Sequence, residues 1–412
     1  MTTQTPNPDV DAKITPEDVA KMRMLVNQPE QNNDPTWNPV AMANDFRRYL
    51  NNCGDNNPLY ANPDYAKNTR WGNVIAPPMF IITMGYDRSG TLDPELKAKT
   101  RGALRGIGMY QSGFEFEFFR PIYPGDELFK RSYVSDVIEK QSEFANKSLL
   151  IKHATSYWNT RGEDVGVYRY LMIHAERGTA AKKGKYVEIS QAKYTEEDIK
   201  KIDEAYEAEY VRGATPRYWE DVVVGEELPT MVRGPLTLVD IIGFHIAIGW
   251  GGFGINPGKM NYFNKKRMPR FYVPGKYGYP EAVQRMHWEE DWAKKVGTPM
   301  SYDYGMMRCQ WAMNYATNWA GDDAWLWKIE CEMRKFNYHG DTQWYKGKVA
   351  EKFKEGDHYC VKLDFWAESQ RGETTTPARA TIILPSREGG PARLPVPPKD
   401  YAAEKALQAK AS

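Results

Sequence analysis

The residue pattern predicts an α+β fold made of two tandem units, each an antiparallel sheet with a helix lying along it. Two observations carry this. Apolar and charged residues alternate in Phe114-Glu115-Phe116-Glu117-Phe118 and again in Ile329-Glu330-Cys331-Glu332-Met333. Period-two alternation marks a strand buried on one face. Short segments also recur in the same order in both halves. Asn62-Pro-Asp-Tyr-Ala-Lys with Gly72 resembles Trp288-Glu-Glu-Asp-Trp-Ala-Lys with Gly297. Ile75–Phe80 matches Tyr302–Met307, and Arg120-Pro-Ile-Tyr-Pro-Gly-Asp126 matches Lys335-Phe-Asn-Tyr-His-Gly-Asp341. Such a repeat of helical entry followed by strands implies one α+β unit built twice.

Taken in order, residues 1–40 read as an arm with one helix capped near Thr15-Pro16-Glu17. The first unit covers 41–176. Asp45–Leu50 is helical, and Asn57-Pro58 and Asn62-Pro63 force turns. Ile75–Phe80 enters a second helix with Pro in its first turn, where the missing N–H does no harm. Strands follow at about 131–140, 148–159 and 163–173. Glu176–Lys185 is small, polar and basic, a linker. Thr195–Val211 is a charged helix with Thr195 as N-cap, so 177–213 connects the units. The second unit covers 214–386, with strands near 327–335, 343–352, 358–368 and 378–385. It carries an insert, 249–280, rich in Gly, Pro, aromatic and basic residues. Residues 387–412 form a tail.

The 412 residues allow two or three domains. Lys plus Arg number 55 and Asp plus Glu 54, a balance that offers no argument for nucleic acid or an anionic membrane. The 13 Trp and 26 Tyr suit pockets or interfaces. Cys53, Cys309, Cys331 and Cys360 lack C-x-x-C spacing, so neither a disulfide framework nor a zinc site is expected. The start has no apolar run, and no stretch nears the ~18 apolar residues of a membrane span. The expectation is a soluble cytoplasmic protein.

The most informative stretch is Gly278–Arg308. His287 heads a short amphipathic segment. After a Gly-Thr-Pro break, Tyr302-Asp303-Tyr304-Gly305 opens a long helical run with small residues at Gly305, Cys309, Ala312 and Ala316. That spacing defines one helix face able to lie close to a sheet. The first N–H groups of such a helix lack internal partners and carry positive partial charge. A histidine, a carboxylate and a free N–H near glycine can move a proton and hold an oxyanion. The competing reading is a core helix capped by Asp303, with an incidental histidine upstream.

These residues resemble the MaoC-like dehydratase (hydratase 2) family in its double-hotdog form. The first half resembles a type I fatty-acid-synthase-like dehydratase domain, through Gly54-Asp55-x-Asn57-Pro58 and the Ile-Ala-Pro-Pro-Met-Phe entry. The second resembles the family's C-terminal domain, through Trp219-Glu-Asp-Val-x-Val-Gly225, Thr237-x-x-Asp240, His287-Trp-Glu-Glu-Asp-Trp-Ala and Gly340-Asp341-Thr342. The resemblance implies a lyase that adds water to, or removes it from, the 2,3 double bond of an enoyl-CoA thioester. It implies no metal or redox cofactor, and a homodimer is expected. The family motif is Asp-x-Asn-Pro-x-His, with a helix-start glycine N–H holding the thioester oxygen.

Both halves depart from that motif. In the first, Asp55 and Asn57 match, but Tyr60 stands at the histidine and Pro78, which has no N–H, at the glycine. In the second, His287 and Gly305 match, but Ala282 stands at the aspartate. The working site is therefore expected in the second half: His287 as acid or base, Gly305 as oxyanion donor, and Asp303 as the missing carboxylate, with Glu281 as runner-up. Tyr302 and Arg308 are assigned to substrate, although Arg308 could equally lie on the solvent side. Lys265, Lys266, Arg267 and Arg270, beside Tyr262 and Phe263, could grip CoA phosphates or form a solvated loop. Asp55, Asn57 and Tyr60 make a second, degenerate site. The other histidines read as packing or surface. The aromatic load suggests a bulky acyl group. Thioesterase activity or a non-catalytic acyl-binding role are the alternatives, since fold does not fix function.

Overall fold

A computed structural model describes residues 12–30, 36–140, 147–176, 189–249 and 256–398. The sequence linker from 177 onward, part of the insert and the end of the tail lie outside these. Ten helices are labelled in chain order: α1 Pro16–Met24, α2 Ala43–Cys53, α3 Pro58–Ala61, α4 Pro63–Ala66, α5 Pro94–Thr100, α6 Glu196–Glu207, α7 Leu238–Ile248, α8 Gly258–Arg267, α9 Glu290–Lys295 and α10 Gly305–Ala320. The strands are β1 Tyr86–Asp87, β2 Gly108–Phe118, β3 Leu128–Lys140, β4 Ser148–Asn159, β5 Asp164–Ala175, β6 Glu227–Arg233, β7 Tyr272–Pro274, β8 Pro280–Ala282, β9 Trp325–Glu332, β10 Gln343–Glu355, β11 His358–Ser369 and β12 Thr374–Ile383.

The repeat is plain in the sheet. Its order is β1-β3-β4-β5-β2-β9-β12-β11-β10-β6. Each unit contributes four long strands, and the first strand of each meets the other at the centre. There β2 and β9 run antiparallel, with Phe114 opposite Cys331 and Phe116 opposite Ile329. Gly113 permits this junction: a Cβ there would stand 2.6 Å from the Cys331 carbonyl oxygen. Phe114, Phe116 and Phe118 are buried. Glu115 and Glu117 take the outer face, paired with Lys152 at 2.8 Å and Arg169 at 3.0 Å. The arm docks on the first unit, where Ile14 N–H donates to Glu176 Oε1 at 2.9 Å and Val26 bridges Val134.

One expectation needs correction. The two units do not each contain a long helix. Pro78–Thr83 forms a six-residue 3-10 turn, whereas α10 runs for 16 residues. Ile81-Ile82-Thr83 are β-branched and stiff at χ1, and Thr83 Oγ1–H donates back to Phe80 O at 2.8 Å. Gly85 then turns the chain at φ 96° into β1. The single long helix α10 serves the fused sheet, and of its residues after Gly305 only Thr317 is not fully buried. Its small face at Cys309, Ala312 and Ala316 is completely covered. Across it, α2 packs against α7 and reaches α10, where Tyr49 O–H donates to Gln310 Oε1 at 2.9 Å. The connecting helix α6 forms as expected, with a Thr195–Asp198 capping box. No helix among the described residues is long and apolar enough to cross a membrane.

Candidate active site

Three short segments meet at the mouth of α10. The first is Ser301–Asp303, which pairs with Asn337–His339: Asp303 N–H donates to Asn337 O at 2.9 Å and His339 N–H to Ser301 O at 3.0 Å. The second is the 3-10 turn Val283–His287. It hangs on Arg285, which stands at the proline of the family motif. The Arg285 guanidinium is buried and donates to the carbonyls of Val273, Glu281 and Pro274 at 3.2, 2.9 and 3.1 Å. It also lies 3.2 Å from Glu289 and 4.0 Å over the Trp292 ring. Arg285 thus binds the β7–β8 hairpin, at the end of the insert, to the histidine turn. The third is the last turn of α7, carrying His245.

His287 is half-buried at this junction. Its Nδ1 lies 2.9 Å from Tyr302 O. A carbonyl only accepts, so Nδ1 carries the proton and the neutral ring keeps a lone pair on Nε2. The ring packs 3.8 Å from that of Tyr304 and 4.7 Å from that of Tyr302. Burial pushes the imidazole down to about 4, resisted by the Tyr302 carbonyl and assisted by His245 and His339. At neutral pH it is an acceptor. Gly305 begins α10, so its N–H is among the four without an intrahelical partner. A Cβ at 305 would meet Gln111 Oε1 and Met333 Sδ, each at 3.4 Å. The imidazole and the helix mouth are therefore neighbours: His287 rests on the residue directly before Gly305.

Asp303 does not complete this pair. Its Oδ2 lies 3.0 Å from Arg308 Nε and accepts from Asn337 Nδ2 at 2.9 Å. Nor does it cap α10, whose N-cap is Tyr304 with no side-chain bond. Burial pushes the Asp303 carboxyl up to about 6 while Arg308 and Asn337 hold it down. Arg308 is buried as well, donating to Lys335 O at 2.8 Å and Thr376 Oγ1 at 3.2 Å. It does not face solvent, because α10 is buried all round. Glu281, the runner-up, folds against Gly275 within the β7–β8 hairpin. The aspartate position, Ala282, is itself buried.

Two histidines join the site that their sequence context did not mark. His245 lies 4.9 Å from the Tyr304 ring and 5.9 Å from the Trp288 ring, and burial pushes it down to about 4. His339 is lowered by burial too. Neither carries a sequence signal, since the contacts that bring them here span 38 residues or more. His153, His174 and His358 lie on β4, β5 and β11. No group of three or more His, Cys, Asp or Glu among the described residues could hold a metal ion.

The remaining candidates separate. Tyr302 stays in the site, its O–H donating to Met286 Sδ at 3.1 Å. Lys265, Lys266 and Arg267 close α8 and Arg270 follows, forming a largely exposed basic patch. Lys265 Nζ lies 3.8 Å over the Tyr279 ring and Lys266 Nζ 4.6 Å over Tyr262. In the first unit, Asn57 N–H donates to Asp55 Oδ1 and Leu59 N–H to Asn57 Oδ1, each at 3.0 Å. Tyr60 is buried. An apolar cavity of about 60 Å³, room for a few waters, opens there between Tyr60, Pro78, Phe118, Thr317 and Trp325. It lies at the far end of α10 from Gly305, so this cavity is not beside His287.

Comparison with known proteins agrees with this fold. Residues 35–167 match the model of the FAS1-like dehydratase domain region. A probable enoyl-CoA hydratase alpha subunit of Thermomonospora curvata is 29% identical over 156 residues, 35% of this chain and 47% of that protein, so the chain spans about half of that relative. A UPF0336 protein of Thermobifida fusca is 30% identical over 122 residues, 29% of this chain and 73% of that protein. Among solved structures, a MaoC-like dehydratase superposes with a TM-score of 0.57 at 17% identity, covering 88% of this chain and 99% of the other. At that identity the likeness speaks for the fold alone. With its mirrored sheet and repeated motif, the chain has the double-hotdog fold of the MaoC-like dehydratases, and its first half is a FAS1-like dehydratase region.

Proposed function

We propose that the second unit hydrates a 2-enoyl thioester of CoA, or dehydrates the corresponding 3-hydroxyacyl thioester. The observation that carries this reading is the seating of His287. Its Nδ1 is engaged by Tyr302 O and its ring rests on Tyr304, next to the first N–H of α10. Nε2 accepts a proton from water as the water oxygen bonds to C3. The C2=C3 electrons move onto the thioester oxygen, held by Gly305 N–H. The proton then passes from His287 to C2 as the enolate collapses. A positioned acid–base group contributes about 10²–10⁴ in rate, and one oxyanion donor about 10²–10³.

A bulky apolar acyl group suits the surroundings. Tyr302, Tyr304, Trp288 and Phe336 gather near the imidazole, and α7 exposes Val239, Ile242 and Ile246. The cluster Lys265, Lys266, Arg267 and Arg270 suits the phosphates of CoA, with aromatic neighbours for its adenine. The test is mass-spectrometric detection of water gain or loss across straight-chain, aromatic and polycyclic enoyl-CoAs. One-water adducts formed by the wild type and not by His287→Ala support the reading; release of free thiol instead would make the chain a thioesterase. Loss of the carboxylate at Ala282 favours a second reading, a non-catalytic acyl-thioester binder. Ligand-induced stabilisation without turnover would support that one.

A further inference from the structure

The hydratase reading leaves one part unfilled. A water molecule has two hydrogens, and a single imidazole engages only one of them. The family motif supplies a carboxylate for the other, but here Ala282 occupies its position. Asp303 holds Arg308 and Asn337 through Oδ2, and Glu281 lies in the β7–β8 hairpin. The groups near His287 are therefore the ones to weigh, and His245 stands apart among them. Its ring contacts both flanks of the motif: Trp288, next to His287, at 5.9 Å, and Tyr304, next to Gly305, at 4.9 Å. Both imidazoles pack on the same Tyr304 ring. Each is half-buried, so neither is sealed from a ligand.

We propose that His245 takes the place of the missing carboxylate, its neutral imidazole accepting the second hydrogen of the water that His287 deprotonates. This rests on the hydratase reading of the same site. In the step, the O–C3 bond forms and the C2=C3 π bond breaks. One water proton goes to His287 Nε2 and from there to C2, and the enolate charge passes through the thioester oxygen. His245 ends as it began, holding what is now the 3-hydroxyl hydrogen. No other reactant is needed. A neutral acceptor works only while unprotonated, and two adjacent imidazoles resist double charging. Burial keeps both neutral at physiological pH. The other ionisable groups facing the pair are His339 and Tyr338 from the loop before β10, Tyr302, Asp303 and Tyr304 before α10, Tyr110 on β2, and Asp240 and Glu290, which act on His339. These stay the same in the variants below.

The test uses the full chain and the enoyl-CoA that gives the highest wild-type turnover. His245→Phe removes the acceptor and His245→Gln keeps a side-chain oxygen in its place. The expected result is a fall in kcat of about 10²-fold or more for Phe, a substantially smaller fall for Gln, and a similar KM for both. The acid limb supplies the readout that a structural role would not move. Wild-type log kcat falls with a slope that steepens from one to two as the second imidazole protonates, because both rings must be neutral. In His245→Gln the slope falls to one, with folding checked by circular dichroism at each pH. Wild-type kcat in His245→Phe, or a slope that is the same in wild type and His245→Gln, would overturn the assignment. If the wild type itself hydrates nothing, the hydratase reading fails. If the wild type turns over and His287→Ala does not, while His245→Phe is unaffected, only the role of His245 fails.

Discussion

The two units share a plan and have kept opposite parts of it. In the first, α2 ends at Gly54 with φ 70°, and in the second α7 ends at Gly249 with φ 65°. Each glycine N–H returns to the carbonyl four residues back, Leu50 and His245. After Gly54 the chain runs straight into Asp55-Asn56-Asn57-Pro58, and that turn is intact: Asp55 receives Asn57 N–H, and Asn57 caps α3. The proton carrier and the oxyanion donor are gone, replaced by Tyr60 and Pro78. After Gly249 the insert intervenes and the turn is gone, yet His287 and Gly305 remain. Arg285 holds their segment by carbonyls instead of an Asx turn. On the proposed reading, the polar residues of this motif have two separable jobs, shaping a turn and handling a proton. Each unit retains one.

The most severe way to break that comparison is to swap the chemistry. His287→Ala should cut hydration by about 10²–10⁴, whereas Tyr60→Phe should leave kcat within about twofold and cost about 1 kcal/mol or less; steady-state kinetics and thermal melts check both. Asp303→Asn comes next. The pair with Arg308 is fully buried, so breaking it leaves an uncompensated guanidinium and should cost about 3–5 kcal/mol. Urea unfolding measures this, and Arg308→Met added to Asp303→Asn should recover part of the loss. A change in turnover with no loss of stability would return Asp303 to the catalytic list.

The pH dependence of stability separates the same residues. For His287 and His245 the folded pKa, about 4, lies below the ordinary 6.5. The unfolded chain therefore takes these protons first, and stability is lost as pH falls from about 6.5 to about 4. The buried carboxyls Asp303 and Asp55, raised to about 6, act in the opposite sense: the folded chain takes their protons first, which adds stability between about 6 and 3.8. His287→Gln removes one imidazole contribution, so its Tm should fall less than that of the wild type over this interval. The smallest expected effect belongs to the insert. Reversing Lys265, Lys266, Arg267 and Arg270 to Glu should raise KM for the CoA thioester several-fold with little change in kcat. An unchanged KM would make that patch a solvated face.

Strands were legible in the sequence because alternation is local. The capped helices were legible for the same reason. The short turn at Pro78–Thr83 was not, because the Pro-Pro entry fits a long helix and a brief 3-10 turn equally well. The burial of Arg308 was not legible either: the sequence offered it to substrate or to solvent. The small stripe is covered, and the other faces are buried as well, carrying Met306, Trp311, Met313, Tyr315 and Trp319 together with the polar residues Arg308, Gln310, Asn314 and Asn318. The resemblance pointed to His287 and Gly305 but not to the groups packed around them. Those groups, His245 and His339, come from α7 and from the loop before β10, brought together only by tertiary packing.

The central claim is that water is activated at the mouth of α10 by His287. The most direct measurement is a single-turnover reaction in ¹⁸O-labelled water, comparing wild type and His287→Ala, with the products analysed by mass spectrometry. The account predicts label in the 3-hydroxyl of an intact CoA thioester from the wild type and none from the variant. Equal labelling by both proteins, or label in a released carboxylate, would contradict it.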